Sequence, residues 1–343
     1  MFFASDNSGP VHPQIMQRIA QGNEGYAMPY GADPIMDEVR DKLREVFEAP
    51  EAAVYLVATG TAANALGLAC YTQPWQTIFC SAISHIEEDE CNAPEFYSGA
   101  AKLTLIHGSD KIDPGALHAA ARATGVKGVH GAQKGPLSIT QVTERGGVYA
   151  LEQIKALTAV AQDHGLPVHL DGARFANAQV ALGCTAAEMT WKAGVDFVSF
   201  GGTKNGCMGV EAVIFFDPEK AWEFELRRKR GAHLFSKHRY LSAQMAGYLQ
   251  DGLWLDLAAR SNASAARLAA GMVERGARLL HPVEANMIFA EMPRAQHRKL
   301  LDGGAVYYVM GDMDGPEDEA VPCRLVCDWS VGEAGVDAFL ALM

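Results

Sequence analysis

Three stretches of the sequence hold residue types whose combination can do chemistry. In "AVYLVATGTAANALGLA" an apolar run gives way at Gly60-Thr61 to a helical pattern. Free N–H groups at a helix N-terminus, with a hydroxyl beside them, suit a phosphate. A capped helix after a glycine turn would read the same way. In "LPVHLDGARFANA" a short apolar run ends in Asp171, with Arg174 three residues on. An acid and a base beyond a strand end suit a ligand, although a local ion pair has the same pattern. In "VDFVSFGGTKNGCMGVEAVIFF" Lys204 sits in a Gly-rich bend between two apolar runs. A lysine belongs on a solvated surface unless something needs its amine. Together these strand ends offer a phosphate cradle, a carboxylate and an amine. Pyridoxal phosphate needs those three groups: an anchor for its phosphate, an acid at its ring nitrogen and a lysine for its aldehyde.

The elements that would position them alternate from about residue 50 to 216. The runs "AAVYLVAT", "QTIFCSA", "AKLTLIH", "GPLSITQ", "LPVHLD" and "VDFVSF" read as buried strands, and amphipathic stretches such as "DPGALHAAARAT" and "ALEQIKALTAVAQDHG" lie between most of them. That order predicts an α/β fold with a mostly parallel sheet covered by helices. "GVEAVIFF" follows too closely for a helical crossover, so it is expected to pair antiparallel with the strand before it. After Phe216 the chain turns helical, and its end reads as a small α+β unit with strands in "ANMIFAEMP", "AVYYVM" and "CRLVCDW". The expected division is 1–250 for a large cofactor-binding domain with the N-terminal segment, and 251–343 for a small C-terminal domain. The acidic "DMDGPEDEA" reads as an exposed loop.

The chain has 343 residues, enough for two domains, and a net charge of -12. Such a surface repels polyanions, which argues against nucleic acid or anionic membrane as a partner. The basic run "RRKR" at 227–230 reads as a solvated helix face. "MFFASDNSGPVHPQ" resembles neither a secretory signal nor a membrane span, and the seven scattered cysteines suit a reducing cytoplasm. "HIEEDEC" lacks a zinc spacing, so no metal site is expected. Glu90 reads as a solvated helix charge. His12, His107, His130, His164 and His169 have no supporting constellation.

The motifs "SDN", "YGADP", "TGTAANALGL", "SHIEEDE", "HLDGAR", "SFGGTKNG" and "CRLVCDW" resemble those of the threonine aldolases, fold-type I pyridoxal-phosphate enzymes, over nearly the whole chain. "DGAR" followed by a strand-end lysine is the most diagnostic. "GGTKNG" is similar to the low-specificity bacterial branch. The resemblance implies cleavage of β-hydroxy-α-amino acids to glycine and an aldehyde. It implies that Lys204 carries the cofactor and Asp171 bonds its ring nitrogen. Gly60 and Thr61 would hold the phosphate, with Thr203 as a helper. His85 would lie over the ring and act in catalysis, as first choice for the base that takes the β-hydroxyl proton. Arg174 would touch cofactor and substrate, binding the substrate carboxylate with Arg324 while Ser5 assists. Tyr30 and Lys237 would reach the site of a neighbouring subunit, Lys237 toward the cofactor, in a homo-oligomer that is a dimer of dimers. Alternatives are a β-eliminating lyase or aminotransferase of the same fold, or a non-catalytic cofactor-binding regulator.

One departure stands out. Many members of that family carry a second active-site histidine after the strand that here reads "LSITQVTERGG". Thr143 or Glu144 holds that place, with Gln141 as a possible polar contact.

Overall fold

The computed structural model describes residues 1–343. Its larger sheet has seven strands, β1 (Ala53–Val57), β2 (Gln76–Ser81), β3 (Lys102–Ile106), β4 (Gln133–Thr140), β5 (Val168–Gly172), β6 (Phe197–Gly201) and β7 (Glu211–Phe215). Their order is β1-β7-β6-β5-β4-β2-β3. Within the run β6-β5-β4-β2-β3 every pair is parallel. β7 runs antiparallel to both β6 and β1. Only the turn that carries Lys204 joins β6 to β7, and a connection that short permits no other direction. Every residue of β5, β6 and β7 is buried, as expected for strands covered on both faces.

Helices α1 (Pro13–Gly22), α2 (Pro34–Val46), α3 (Gly60–Cys70) and α4 (His85–Glu88) precede β3. Two of the starts show why the chain turns helical there. Asp33 accepts from the Met36 N–H at 3.0 Å ahead of Pro34, and Thr59 Oγ1 accepts from the Ala62 N–H at 3.2 Å. α3 lies flat on the sheet because Gly67 has no side chain: an added Cβ would lie 2.5 Å from the Phe197 ring. That ring is fixed by Tyr71, His169 and Phe215, stacked on it with centroids 5.1, 4.4 and 5.4 Å away.

A second sheet is antiparallel throughout and has the order β10-β11-β9-β8, from β8 (Arg278–Leu279), β9 (Met287–Pro293), β10 (Tyr308–Val309) and β11 (Ala320–Val326). The helix Leu253–Glu274 ties the two sheets together. Leu253, Trp254 and Leu257 pack into the large core, whereas Ala265, Leu268 and Met272 pack under the small sheet. The N-terminal segment begins on the small sheet, where Phe3 is buried and hydrogen-bonded to Val306 and Val326, and then crosses to the large one. The acidic loop at 312–320 is largely exposed. The basic run is not wholly a solvated face: Arg228 is buried, donates to the Leu56 carbonyl at 3.1 Å and lies over the Tyr55 ring. An arginine can be buried there because its charge is shared with Glu225, 2.8 Å away. No helix is long and apolar enough to cross a membrane.

The fit of α3 on β6 is testable. Overpacking a fixed ring costs about 1–3 kcal/mol, against the ~1 kcal/mol that alanine returns in helix propensity. Gly67→Ala is expected to unfold at a lower urea concentration than the parent. A midpoint at or above the parent's would show that the Phe197 stack yields.

Candidate active site

β1, β5 and β6 end at one edge of the sheet, around a cavity of about 270 Å³. Gly60 and Thr61, the first residues of α3, form part of its wall. Asp171 enters from β5, Arg174 from the turn after it, and Thr203 and Lys204 from the turn after β6. His85, at the start of α4, completes the set, so seven of the eleven expected residues share one cavity. Ser5 and Arg324 come near it by another route. Ser5 caps the turn Asp6–Ser8, which puts Asn7 on the wall and Asp6 against Arg174. Arg324 donates to the Ala4 carbonyl at 3.3 Å and lies over the Tyr308 ring at 4.7 Å. Tyr30 and Lys237 are exposed and off the wall of this chain's own cavity. They belong to adjacent segments, joined by the Tyr30 N–H to the Ser236 carbonyl at 3.2 Å.

A hydrogen-bonded chain runs beneath the cavity. Asp171 Oδ1 accepts from the Ala173 N–H at 3.1 Å, and its Oδ2 from Asn64 Nδ2 at 2.9 Å. The same Asn64 nitrogen reaches Glu90 Oε1 at 2.9 Å, and that oxygen meets His85 Nδ1 at 2.8 Å. Glu90 is thus buried and paired, not the solvated helix charge its sequence suggests. The charged neighbours in "HIEEDE" conceal it, because only the turn that follows the short α4 brings position 90 inward. The Glu90 hydrogen bond raises the His85 pKa against burial, which pulls the other way. Lys204 is shifted down, first by the Arg174 guanidinium and then by burial. A larger fraction of its amine is therefore unprotonated and nucleophilic.

Arg174 is gripped by Asp6, Nε to Oδ2 at 2.6 Å and Nη2 to Oδ1 at 3.0 Å. Burial pushes the Asp6 pKa up, but Arg174 and Lys204 outweigh it and hold the carboxyl below its ordinary value.

Two more carboxyl groups line the wall, Glu211, to which the sequence assigned no role, and Glu144, one of the two residues at the place of the family's second histidine. Glu211 accepts from the Gly202 N–H at 2.8 Å, and burial pushes it up to about 7. A lone acid in the apolar run "GVEAVIFF" was its signal. Glu144 Oε1 accepts from the His85 N–H at 2.7 Å, and burial also pushes it up to about 7. Thr143, the other residue at the place of the family's second histidine, turns away and donates to Asp110 at 2.5 Å. Gln141 is not a site contact: it is fully buried, with its amide spent on the Tyr149 backbone. His169 lies in the sheet between Ser138 and Ser199, where burial lowers it to about 4.

The donor set fits pyridoxal phosphate. Gly60 and Thr61 precede the first intrahelical bond of α3, from the Ala63 N–H to the Thr59 carbonyl, so their N–H groups are free for an anion. A Cβ on Gly60 would meet nothing within 4 Å, which leaves room for a phosphate against the backbone. A buried carboxylate and a half-buried lysine occupy the next two strand ends.

The Glu90 bond to His85 has a direct consequence. In Glu90→Gln the charge-assisted bond is lost, so the His85 ring is expected to titrate at lower pH than in the parent. NMR of the histidine Cε1 protons follows this. An unchanged titration would mean that Glu90 leaves the His85 charge state alone.

A family model described as β-eliminating lyase matches residues 3–295. The low specificity L-threonine aldolase of Pseudomonas sp. (strain NCIMB 10558) is 38% identical over 336 residues, 97% of this chain and 94% of that one. The protein of the same name from Pseudomonas aeruginosa is 38% identical over 330 residues, 95% of this chain and 92% of its own. Among solved structures, a Leishmania major threonine aldolase superposes with a TM-score of 0.90 at 26% identity, covering 99% of this chain and 98% of that chain. A serine palmitoyltransferase from Sphingomonas wittichii shares the fold, with a TM-score of 0.72 at 16% identity over 100% of this chain and 86% of that one. The matches extend along nearly the whole chain and include the elements that build the cavity, so this chain belongs to the β-eliminating lyase family, in its threonine aldolase branch.

Proposed function

We propose that this protein is a pyridoxal-phosphate-dependent carbon–carbon lyase. It cleaves L-threonine, L-allo-threonine and related β-hydroxy-α-amino acids such as phenylserine to glycine and an aldehyde. The observation that carries this reading is the convergence of Lys204, Asp171 and the free N-terminus of α3 on one cavity. The reaction named for the relatives gives that convergence its chemistry.

When bound, the cofactor supplies an electron sink for the pair released at Cα. The residues do the rest. Lys204 would hold the cofactor by its amine. Asp171, kept in place by Asn64 and the Ala173 N–H, pairs with the protonated ring nitrogen. Gly60 and Thr61 bind the phosphate, with Thr203 beside them. His85 covers the ring, its orientation set by Glu90. Arg174 and Arg324 orient the substrate through its carboxylate, assisted by Ser5. Asp6 takes Nε and one hydrogen of Nη2 of Arg174, so Nη1 and the second Nη2 hydrogen are left for the substrate. Arg324 is ready for the same partner: its Nε is buried with no acceptor.

A homo-oligomer, a dimer of dimers, completes the site. Tyr26, Met28, Tyr30 and Phe235 expose apolar surface on the segments beside Lys237, and a neighbouring copy would cover it while receiving Tyr30 and Lys237. Seven cysteines without a disulfide support a cytoplasmic setting.

The family's description as β-eliminating keeps a second reaction in view. β-Elimination of threonine gives ammonia and an oxo acid, whereas the aldolase reaction gives glycine and acetaldehyde. The purified protein is expected to form the second pair, and borohydride reduction with peptide mapping should place the cofactor on Lys204. Ammonia as the main product, or label on another lysine, would overturn the reading.

The shared site has its own test. Lys204→Ala and Lys237→Ala are each expected to be inactive. After subunit exchange their mixture should regain activity, because a hybrid holds one site with both lysines intact. No recovery after demonstrated exchange would place Lys237 outside the neighbour's site.

A further inference from the structure

The loop that leaves β4 alternates in direction. Gln141 and Thr143 turn away from the cavity, whereas Val142 and Glu144 lie on its wall. One Glu144 oxygen is pinned by the His85 N–H, and the other, Oε2, is buried with no partner. A buried carboxyl with a spare oxygen is costly unless a ligand or a reaction uses it.

Cleavage of a β-hydroxy-α-amino acid needs an acceptor for the hydroxyl proton. Arg174 stays protonated and is held by Asp6. Asp171 has both oxygens occupied. His85 is bonded through Nδ1 to a buried carboxyl that favours its protonated form, and a protonated imidazole gives a proton rather than taking one. The alternation of the loop leaves Glu144 at the place of the second histidine.

We propose that Glu144 is a catalytic residue: its carboxylate accepts the β-hydroxyl proton while the Cα–Cβ bond breaks. The O–H pair becomes the second bond of the aldehyde carbonyl. The Cα–Cβ pair stays on Cα, which then takes up one proton to become glycine, with His85 as the donor. One proton leaves the substrate to Glu144 and one enters it from His85, so the net charge is unchanged; exchange with solvent then takes the proton from Glu144 and returns one to His85. The assignment rests on the aldolase reading above.

Glu144 titrates near neutrality, at about 7, because burial disfavours its charge. This is the range in which a base serves best at physiological pH. Asp171 on β5 raises it further, whereas the backbone N–H groups of His85 and of Glu144 itself and the Thr140 hydroxyl favour its ionised form; Cys80 on β2 and Tyr149 in turn feel its charge. Arg174, Lys204 and Glu211 share the cavity wall. The ionised form is the base, so cleavage should rise with pH through about 7.

The test compares the cofactor-loaded parent with Glu144→Gln and Glu144→Ala. Threonine cleavage is expected to fall roughly 10²–10⁴-fold in both. Cofactor content and glycine affinity, read from the absorbance spectrum, should stay within a few fold. Added formate should restore part of the cleavage in Glu144→Ala but not in Glu144→Gln. The parent's infrared difference spectrum across neutral pH should lose a protonated carboxyl band that is absent from the Glu144→Gln spectrum. If Glu144→Gln cleaves within a few fold of the parent and keeps the rise with pH, the base is His85 or Lys204 and the assignment falls, while the aldolase reading survives. A parent that makes no glycine from threonine would overturn both.

Discussion

Parallel pairing of β5 with β6 sets Asp171 beside Ser199, and the arrangement of the cavity follows from that register. The carboxylate sits at the last turn of one strand, and the lysine emerges five residues beyond its neighbour's Ser199. A slip by one residue would send Asp171 to the opposite face of the sheet. Glycines make the approach possible. A Cβ on Gly201 would lie 2.4 Å from the Ala173 carbonyl, and one on Gly172 2.7 Å from the Ser199 carbonyl. The strand ends can converge only because both positions lack side chains. β7, running back beside β6, holds the far side of the lysine turn through Glu211 and the Gly202 N–H.

Around that frame the cavity concentrates acids. Asp171, Glu144 and Glu211 line it and Glu90 lies just behind, against the cations Arg174 and Lys204 and the ring of His85. These groups are buried or half-buried, so their charges are set largely by each other and by burial. Arg174 and burial lower Lys204, burial raises Glu144 and Glu211, and Glu90 raises His85. Glu144 and Glu211, which would be ionised on a surface, are drawn toward neutral pH, where protons can be exchanged. The same burial makes each hydrogen bond in the Asp171–Asn64–Glu90–His85 chain more consequential than it would be in water.

The two sheets are joined through the site. The first residues lie on the small sheet, and the next few deliver Asp6 to Arg174 and Asn7 to the cavity wall. Asn286 reinforces the crossing by donating to Asp6 at 3.0 Å and to the Cys327 carbonyl at 2.9 Å. Arg324 stands on β11 and reaches back to Ala4. A movement of the small unit would therefore shift both arginines assigned to the substrate carboxylate, one directly and the other through Asp6.

The sequence by itself determined the seven strands of the main sheet, the antiparallel return of β7, and the convergence of Gly60-Thr61, Asp171 and Lys204. Those features are local: apolar runs mark buried strands, a short connection forbids a crossover, and strand ends of a parallel sheet share an edge. Tertiary structure alone decided which polar residues turn inward. Glu90 looks like one of several acids on a short helix, and Arg228 like one of several bases. Gln141, Thr143 and Glu144 are neighbours in the chain but face different partners. Burial and pairing depend on what packs against a residue from distant segments, here Asn64 for Glu90, Tyr55 for Arg228 and His85 for Glu144. No spacing along the chain encodes those contacts, because they exist only once the sheet has placed its edges together.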